Sequence, residues 1–204
     1  MRTDDCANII LASSSPRRLE IMRAHGVEPL VMPADCDETV PPFSDVRDVP
    51  SEIAVRKARA VLKKLSDDSS LDVPRDSAIV AADTIVYKGD IPGNGVIMGK
   101  PLDYRDGWEM LSMLRGTHHY VITGVCMIFT ATGEERVFSD LTGVWFKDYT
   151  DDELDRYLLT DEAYDKAGGY AIQGTFGEYT ERIEGDYENV MGLPWYRIEE
   201  ELSK

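Results

Sequence analysis

The sequence is poor in cysteine, in histidine and in positive charge, and it has no long apolar run. Its three cysteines, Cys6, Cys36 and Cys126, are far apart and form no CxxC pair. That argues against a disulfide scaffold and a cysteine-bound structural zinc. The three histidines, His25, His118 and His119, lack an HExxH spacing, which argues against histidine-bound zinc. There is no GxSxG elbow and no GxxxxGK[ST] loop, so neither a serine hydrolase nor a P-loop is indicated. No segment approaches the roughly 20 apolar residues that cross a bilayer. Asp4 and Asp5 precede the first short apolar run, unlike the basic start of a signal peptide. The expectation is a soluble, cytoplasmic protein. Lys and Arg number 22 against 38 Asp and Glu, a formal charge of −16. Such a surface repels nucleic acid and anionic membranes as a whole. An anionic small molecule fits only where the few cations gather.

What is present suits a folded enzyme-sized chain. Of 204 residues, 43% are hydrophobic and 29% charged, enough for a sizeable core. Residues 8–12 (NIILA) predict a buried strand. Ser15 is placed to cap a helix over 16–25 that starts at Pro16 and stops at Gly26. Residues 30–32 predict a strand, and 35–48 an acidic, Pro-rich loop. Ala54, Ala58, Val61, Leu62 and Leu65 form one stripe, which predicts a helix over 51–65. A polar linker follows over 67–76. Residues 78–82 (AIVAA) predict a buried strand with Asp83 and Thr84 at or just past its end. Residues 85–100 read as a hairpin-like excursion around Gly93-Asn94-Gly95.

Further on, Asp103 caps a helix ending near Arg115 at Gly116. Segments 120–123, 125–130 and 137–147 are strand-like. Thr150 to Glu153 form a capping box for a helix to about 159. A Gly-rich loop over 165–176, a strand over 179–184 and a terminal helix over 195–202 complete the chain. Helices alternate with strands first and antiparallel meanders follow, which predicts an α/β fold with a mixed sheet. The chain reads as a single domain, its only sign of two lobes a weak boundary near 100–120.

Three places carry chemistry. Arg17 and Arg18 would occupy the first turn of their helix, at the positive end of its dipole. An anion there would explain them, held by free backbone N–H groups, the hydroxyls of Ser13 and Ser15 and the two guanidiniums. The plain alternative is a capped helix with solvated arginines. Asp83 follows a buried strand, where open α/β sheets place ligands. It is a candidate to hold a divalent cation or take a proton from water, or it is a turn aspartate. Glu38 is a candidate second oxygen ligand, or one more solvated acid. The third group is Lys57, Lys100 and Lys166. Lys57 flanks the apolar stripe, where a lysine usually snorkels, while Lys100 and Lys166 sit in Gly- and Pro-punctuated loops suited to reaching a ligand. Gln173, in a Gly-rich loop, suits a base edge or a sugar hydroxyl, or a simple surface turn. Cys126 reads as core.

Six blocks stand in order across residues 9 to 194: LASSSPRR at 11–18, DET at 37–39, AADTIV at 81–86, GKP at 99–101, DKAGGYAIQG at 165–174 and NVMGLP at 189–194. Together they resemble the Maf family, the septum-formation-related nucleoside triphosphate pyrophosphatases. The resemblance implies an elongated α/β fold with two lobes around a nucleotide cleft, commonly dimeric. It implies hydrolysis between the α- and β-phosphates to the monophosphate and pyrophosphate, with a divalent metal, Mg²⁺ or Mn²⁺. Asp83 matches the family's proton acceptor, and Arg17, Thr84 and Gln173 match positions tied to substrate choice. The set SPRR, ADT and IQG is similar to the branch acting on dTTP and UTP, whereas SPWR, SDQ and SEG mark a branch acting on 7-methyl-GTP. Modified pyrimidine nucleotides are a related substrate class. The stretch from Asp83 to Lys100 is several residues longer than usual, and Ala163 replaces a common proline. On this reading Arg17, Lys100 and Lys166, aided by Arg18 or Lys57, neutralise the triphosphate, and Asp83 with Glu38 holds the metal. The rival reading is a non-catalytic nucleotide-binding regulator of septum formation and cell division.

Overall fold

The apolar run at the start becomes strand β1 (Asn8–Leu11). The structure, a computed structural model, describes residues 8–40, 42, 45–68, 70–71 and 73–204. Cys6 and parts of the expected loop over 35–48 and linker over 67–76 lie outside the described residues. β1 pairs in parallel with β2 (Leu30–Val31) on one side and with the long β3 (Ser77–Asp90) on the other. β3 continues antiparallel to β5 (His118–Phe129), β5 to β6 (Glu135–Phe146), and β6 to β7 (Thr180–Glu184). Between β3 and β5 in the chain, β4 (Asn94–Met98) folds back on the far half of β3. The sheet order is β2-β1-β3-β5-β6-β7, with β4 attached to β3. The fold is therefore α/β with a mixed sheet.

Period-two alternation assigns the two faces. Ile9, Leu11, Val80 and Ala82 face a core built with helix α1 (Pro16–Ala24) and the terminal helix α6 (Trp195–Leu202). Ile10, Ala12, Ile79 and Ala81 face the helix α2 (Asp48–Asp67). α2 begins three residues before the expected start, since Pro50 falls in its first turn, where a missing N–H costs nothing. The far end of the sheet is covered by α3 (Tyr104–Leu114) and α4 (Asp151–Leu158) over an aromatic core that includes Phe146, Tyr149 and Phe176. The expected caps are present: Asp103 accepts from the Asp106 N–H, and Thr150 and Glu153 form the capping box. Helix α5 (Tyr187–Met191) was not expected; five residues are too few to show a period, although Asp186 caps it and Gly192 ends it at φ +108°.

Two expected strand boundaries are corrected. β3 does not end at Ala82. Its pairing with β5 runs on through Asp83↔Gly124 and Thr84↔Thr123, so Asp83 lies mid-strand rather than at a tip. Nor does Gly124 divide two strands. It is a flat spot in β5 where the first turn of α2 rests: a Cβ there would lie 2.2 Å from the Ser51 amide nitrogen. On its other edge β3 is paired with β1 only through Val80, the Ala12 N–H reaching the Val80 carbonyl at 2.9 Å, and with β4 only from Val86 onward. Residues 81–85 thus have a partner strand on one side alone, and the opening on the other side is the floor of a cleft. Among the described residues no helix is long and apolar enough to cross a membrane.

Gly124→Ala should drive a methyl into backbone and cost about 3 kcal/mol, a fall of roughly 6–12 °C in Tm. An unchanged Tm would show that α2 does not rest there. His119 is fully buried, its Nε2 at 2.7 Å from the Tyr170 hydroxyl and its Nδ1, among the described residues, without a partner. Burial, aided by Lys88 and His118, pushes its pKa down from 6.5 to about 3. The unfolded chain therefore binds the extra proton between these values, and stability falls as pH drops below 6.5, by up to about 1.4 kcal/mol per pH unit, with no such contribution above 6.5. His119→Gln should flatten the urea-measured acid limb by up to that slope; an unaltered limb would contradict the assignment.

Candidate active site

Beyond β1 the chain turns through three serines into α1. Ser15 occupies the cap position, but its side chain makes no cap hydrogen bond, which corrects the expected capping. The Ser13 hydroxyl, nearly buried, takes the Ser15 N–H at 3.2 Å instead, and also an Nη1 of Arg18 at 3.1 Å. Arg18 is buried and donates further from Nε to the Gly192 carbonyl at 2.8 Å and from Nη2 to the Thr84 hydroxyl at 3.1 Å. Burial lowers its pKa most, against the raising effects of Asp83 and Glu38. With three of its five donors committed to protein, Arg18 ties α1, β3 and the turn after α5 together. The two guanidiniums do not converge on one open point as expected; Arg17, half-buried, lines the cleft beside it.

A polar chain continues inward. The Thr84 hydroxyl lies 3.0 Å from that of Thr123, which donates to the Asn189 carbonyl at 2.9 Å. The wholly buried Asn189 amide donates to the Val121 carbonyl at 3.1 Å and the Thr142 hydroxyl at 2.9 Å. Thr123 and Asn189 were not singled out from the sequence as site supports. The signal for Asn189 was its place in the block at 189–194; Thr123 gave none.

Alternation along β3 turns Asp83 toward α2, the face opposite Thr84. Lys57 of α2 meets it there, Nζ to Oδ1 at 2.7 Å, and also reaches Glu38 Oε2 at 2.9 Å. Lys57 and Asp83 are 10% and 14% exposed, Glu38 58%. Lys57 therefore does not snorkel to water. A carboxylate this buried is costly without a partner, and the lysine opposite supplies one. Lys100 follows β4 and is exposed. Its loop is bonded to that of Lys166 through the Gly168 N–H and the Gly99 carbonyl at 2.9 Å. The Lys166 ammonium is not free: it pairs with Asp165 and donates to the Glu162 carbonyl at 2.7 Å. Gln173 is exposed beside the buried Ala171 and Ile172.

All eleven residues singled out from the sequence line one cleft of about 550 Å³. Arg17, Arg18, Lys57, Lys100 and Lys166 face Glu38, Asp83 and Asp165 there, a net charge of +2 in a chain of −16. Val86, Val121, Tyr170 and Met191 give the same cleft an apolar wall. Such a mixture suits a ligand with an anionic part and a flat apolar part. Asp83 and Glu38 both reach one cationic centre, the Lys57 ammonium. Among the described residues no three His, Cys, Asp or Glu side chains converge. Two carboxylates suit a Mg²⁺-type ion whose other ligands are water and phosphate.

A family model and related sequences agree on one family. A family model described as Maf-like protein matches residues 8–204. A dTTP/UTP pyrophosphatase of Caldicellulosiruptor bescii is 38% identical over 96% of this chain and 94% of its own. One of Agathobacter rectalis is 39% identical over 97% of each chain, and one of Alkaliphilus metalliredigens 40% identical over 96% of this chain and 95% of its own. The solved Ham1 protein of Staphylococcus aureus covers 84% of this chain and 93% of its own at 14% identity and a TM-score of 0.45, too loose a likeness to carry weight. With the family matched from the first strand to the final residue, and relatives near 40% identical across almost their full lengths, this chain belongs to the Maf family.

Proposed function

We propose that the protein is a nucleoside triphosphate pyrophosphatase that converts dTTP and UTP to the monophosphate and pyrophosphate. The observation that carries this is the cleft itself: five of the molecule's 22 cationic side chains line it together with one largely buried carboxylate, Asp83. The names of the relatives support the substrate class. Arg17, Thr84 and Gln173, which the resemblance ties to substrate choice, all line the cleft.

In this reading Arg17 and Lys100 meet the triphosphate. Lys166 joins them by exchanging Asp165 for a phosphate oxygen, and the two uncommitted donors of Arg18 add to them. Asp83 accepts the proton of the water that attacks the α-phosphorus, and pyrophosphate departs. The protein contributes positioning and charge stabilisation rather than covalent chemistry. The Lys57 ammonium holds the Asp83 carboxylate and is shared with that of Glu38. A divalent ion, Mg²⁺ or Mn²⁺, would be held by Glu38 and the substrate, and by Asp83 through a bound water, which leaves the Asp83 carboxylate free to take the proton. It would supply neutralisation of phosphate charge there. Gln173 reads the base. We further read the chain as one domain of two lobes, cytoplasmic, and a homodimer in the manner of its family.

Phosphate released in the presence of added inorganic pyrophosphatase, over a nucleotide panel with Mg²⁺ or Mn²⁺, tests the proposal. dTTP and UTP should lead the panel. Binding of both without pyrophosphate release would instead fit a regulator that senses the nucleotide. Asp83→Asn should lower kcat by roughly 10²–10⁴-fold while the far-UV spectrum is retained. Near-normal turnover would remove Asp83 from the reaction. Gln173→Glu should shift the ratio of kcat/KM away from dTTP and UTP; constant ratios across the panel would remove Gln173 from base reading.

A further inference from the structure

The loop between α4 and β7 carries both Lys166 and Gln173, and a carboxylate outside the proposed chemistry closes it. Glu162 Oε1 accepts the backbone N–H of Thr175 at 2.9 Å, and Oε2 accepts the Thr175 hydroxyl at 2.9 Å. Its own backbone carbonyl accepts the Lys166 ammonium at 2.7 Å. Gly174 lies directly beneath the carboxylate, and a Cβ there would sit 1.6 Å from Oε1. The Gly174 N–H in turn reaches the Ala171 carbonyl at 3.1 Å. Gln173 thus stands exposed on a turn fastened on both sides, by buried Ala171 and Ile172 before it and by the clasped Thr175 after it. Among the described residues Glu162 has no ion-pair partner, and its carboxylate is spent on this loop.

We propose that Glu162 is a positioning residue for base recognition, clasping residue 175 so that Gln173 presents its amide to the nucleotide base in one orientation. The proposal rests on the pyrophosphatase reading and extends it to a residue that touches neither phosphate nor base. A glutamine amide offers a donor and an acceptor on one plane. On an unfastened turn it would re-aim to suit either of two bases of equal shape, and discrimination would fade. A uracil and a cytosine have the same outline and differ in which ring-edge groups donate, so they separate hydrogen-bond reading from fit.

The test compares kcat and KM for UTP and CTP in the wild type, Glu162→Ala and Glu162→Gln, with melting temperatures taken alongside. The wild type should favour UTP. Glu162→Ala should lose about 10-fold of the UTP/CTP ratio in kcat/KM, the worth of about one hydrogen bond, through a raised KM for UTP with kcat nearly kept. Glu162→Gln should stay close to wild type, since its amide oxygen takes the Thr175 N–H and its amide nitrogen donates to the hydroxyl. If Glu162→Ala does not fold, Thr175→Val removes one of the two bonds and should lower the ratio by a few-fold. An unchanged ratio in Glu162→Ala, an equal loss for both nucleotides, or equal damage from Ala and Gln would overturn the clasp. A wild type that turns over UTP and CTP equally would overturn it too. A wild type releasing pyrophosphate from no nucleotide would overturn the underlying reading and the clasp with it.

Discussion

Asp83 is a carboxylate in the middle of a buried strand, and the rest of the cleft is arranged around that constraint. A charge so placed is tolerable only beside a counter-charge, and breaking such a pair by removing one partner costs about 3–5 kcal/mol. Lys57 can supply the counter-charge because α2 descends onto the sheet at Gly124, the residue that faces Asp83 across the β3–β5 pairing. The bare glycine and the charged aspartate are two halves of one arrangement: the first lets the helix approach, and the second receives its lysine. The break between β1 and β4 then leaves this segment of β3 open on its outer edge, so that residues from both faces of the strand, Asp83 on one and Thr84 on the other, line the cleft.

The cations divide into three kinds. Arg18 and Lys57 are largely committed to protein partners and hold the cleft's shape. Lys166 has partners it can exchange, an adjacent aspartate and a carbonyl. Arg17 and Lys100 line the cleft and, among the described residues, have no side-chain partner. A site built this way has two cations ready, one in reserve and two as scaffold. That keeps net positive charge in a cleft within a strongly acidic molecule without leaving buried cations unsatisfied. The acidic exterior adds a long-range repulsion toward polyanions in general.

Much of this was legible in the sequence, for physical reasons. Continuous apolar runs marked β1 and the first half of β3, a helical stripe marked α2, and local side-chain chemistry marked the caps at Asp103 and Thr150. The ordered blocks contain ten of the eleven residues that the fold brings into one cleft, and the helical stripe of α2 marks the position of the eleventh, Lys57. What could not be read were relations set by the third dimension. Nothing local says that β3 continues past Asp83, because its continuation depends on hydrogen bonds from β5. The inward turn of Lys57 depends on which face Asp83 occupies, and the commitment of Arg18 on a carbonyl 174 residues away. Helix α5 was too short to show a period, and the Glu162 clasp joins residues 13 apart through a loop whose path composition does not determine.

The most direct measurement is a crystal structure with a non-hydrolysable dTTP analogue in which an imido group replaces the oxygen between the α- and β-phosphorus. The account predicts the α-phosphate beside Asp83, the remaining phosphates against Arg17 and Lys100, and the thymine against the apolar wall near Gln173. An analogue bound elsewhere, or bound with its phosphates turned away from Asp83, would contradict it.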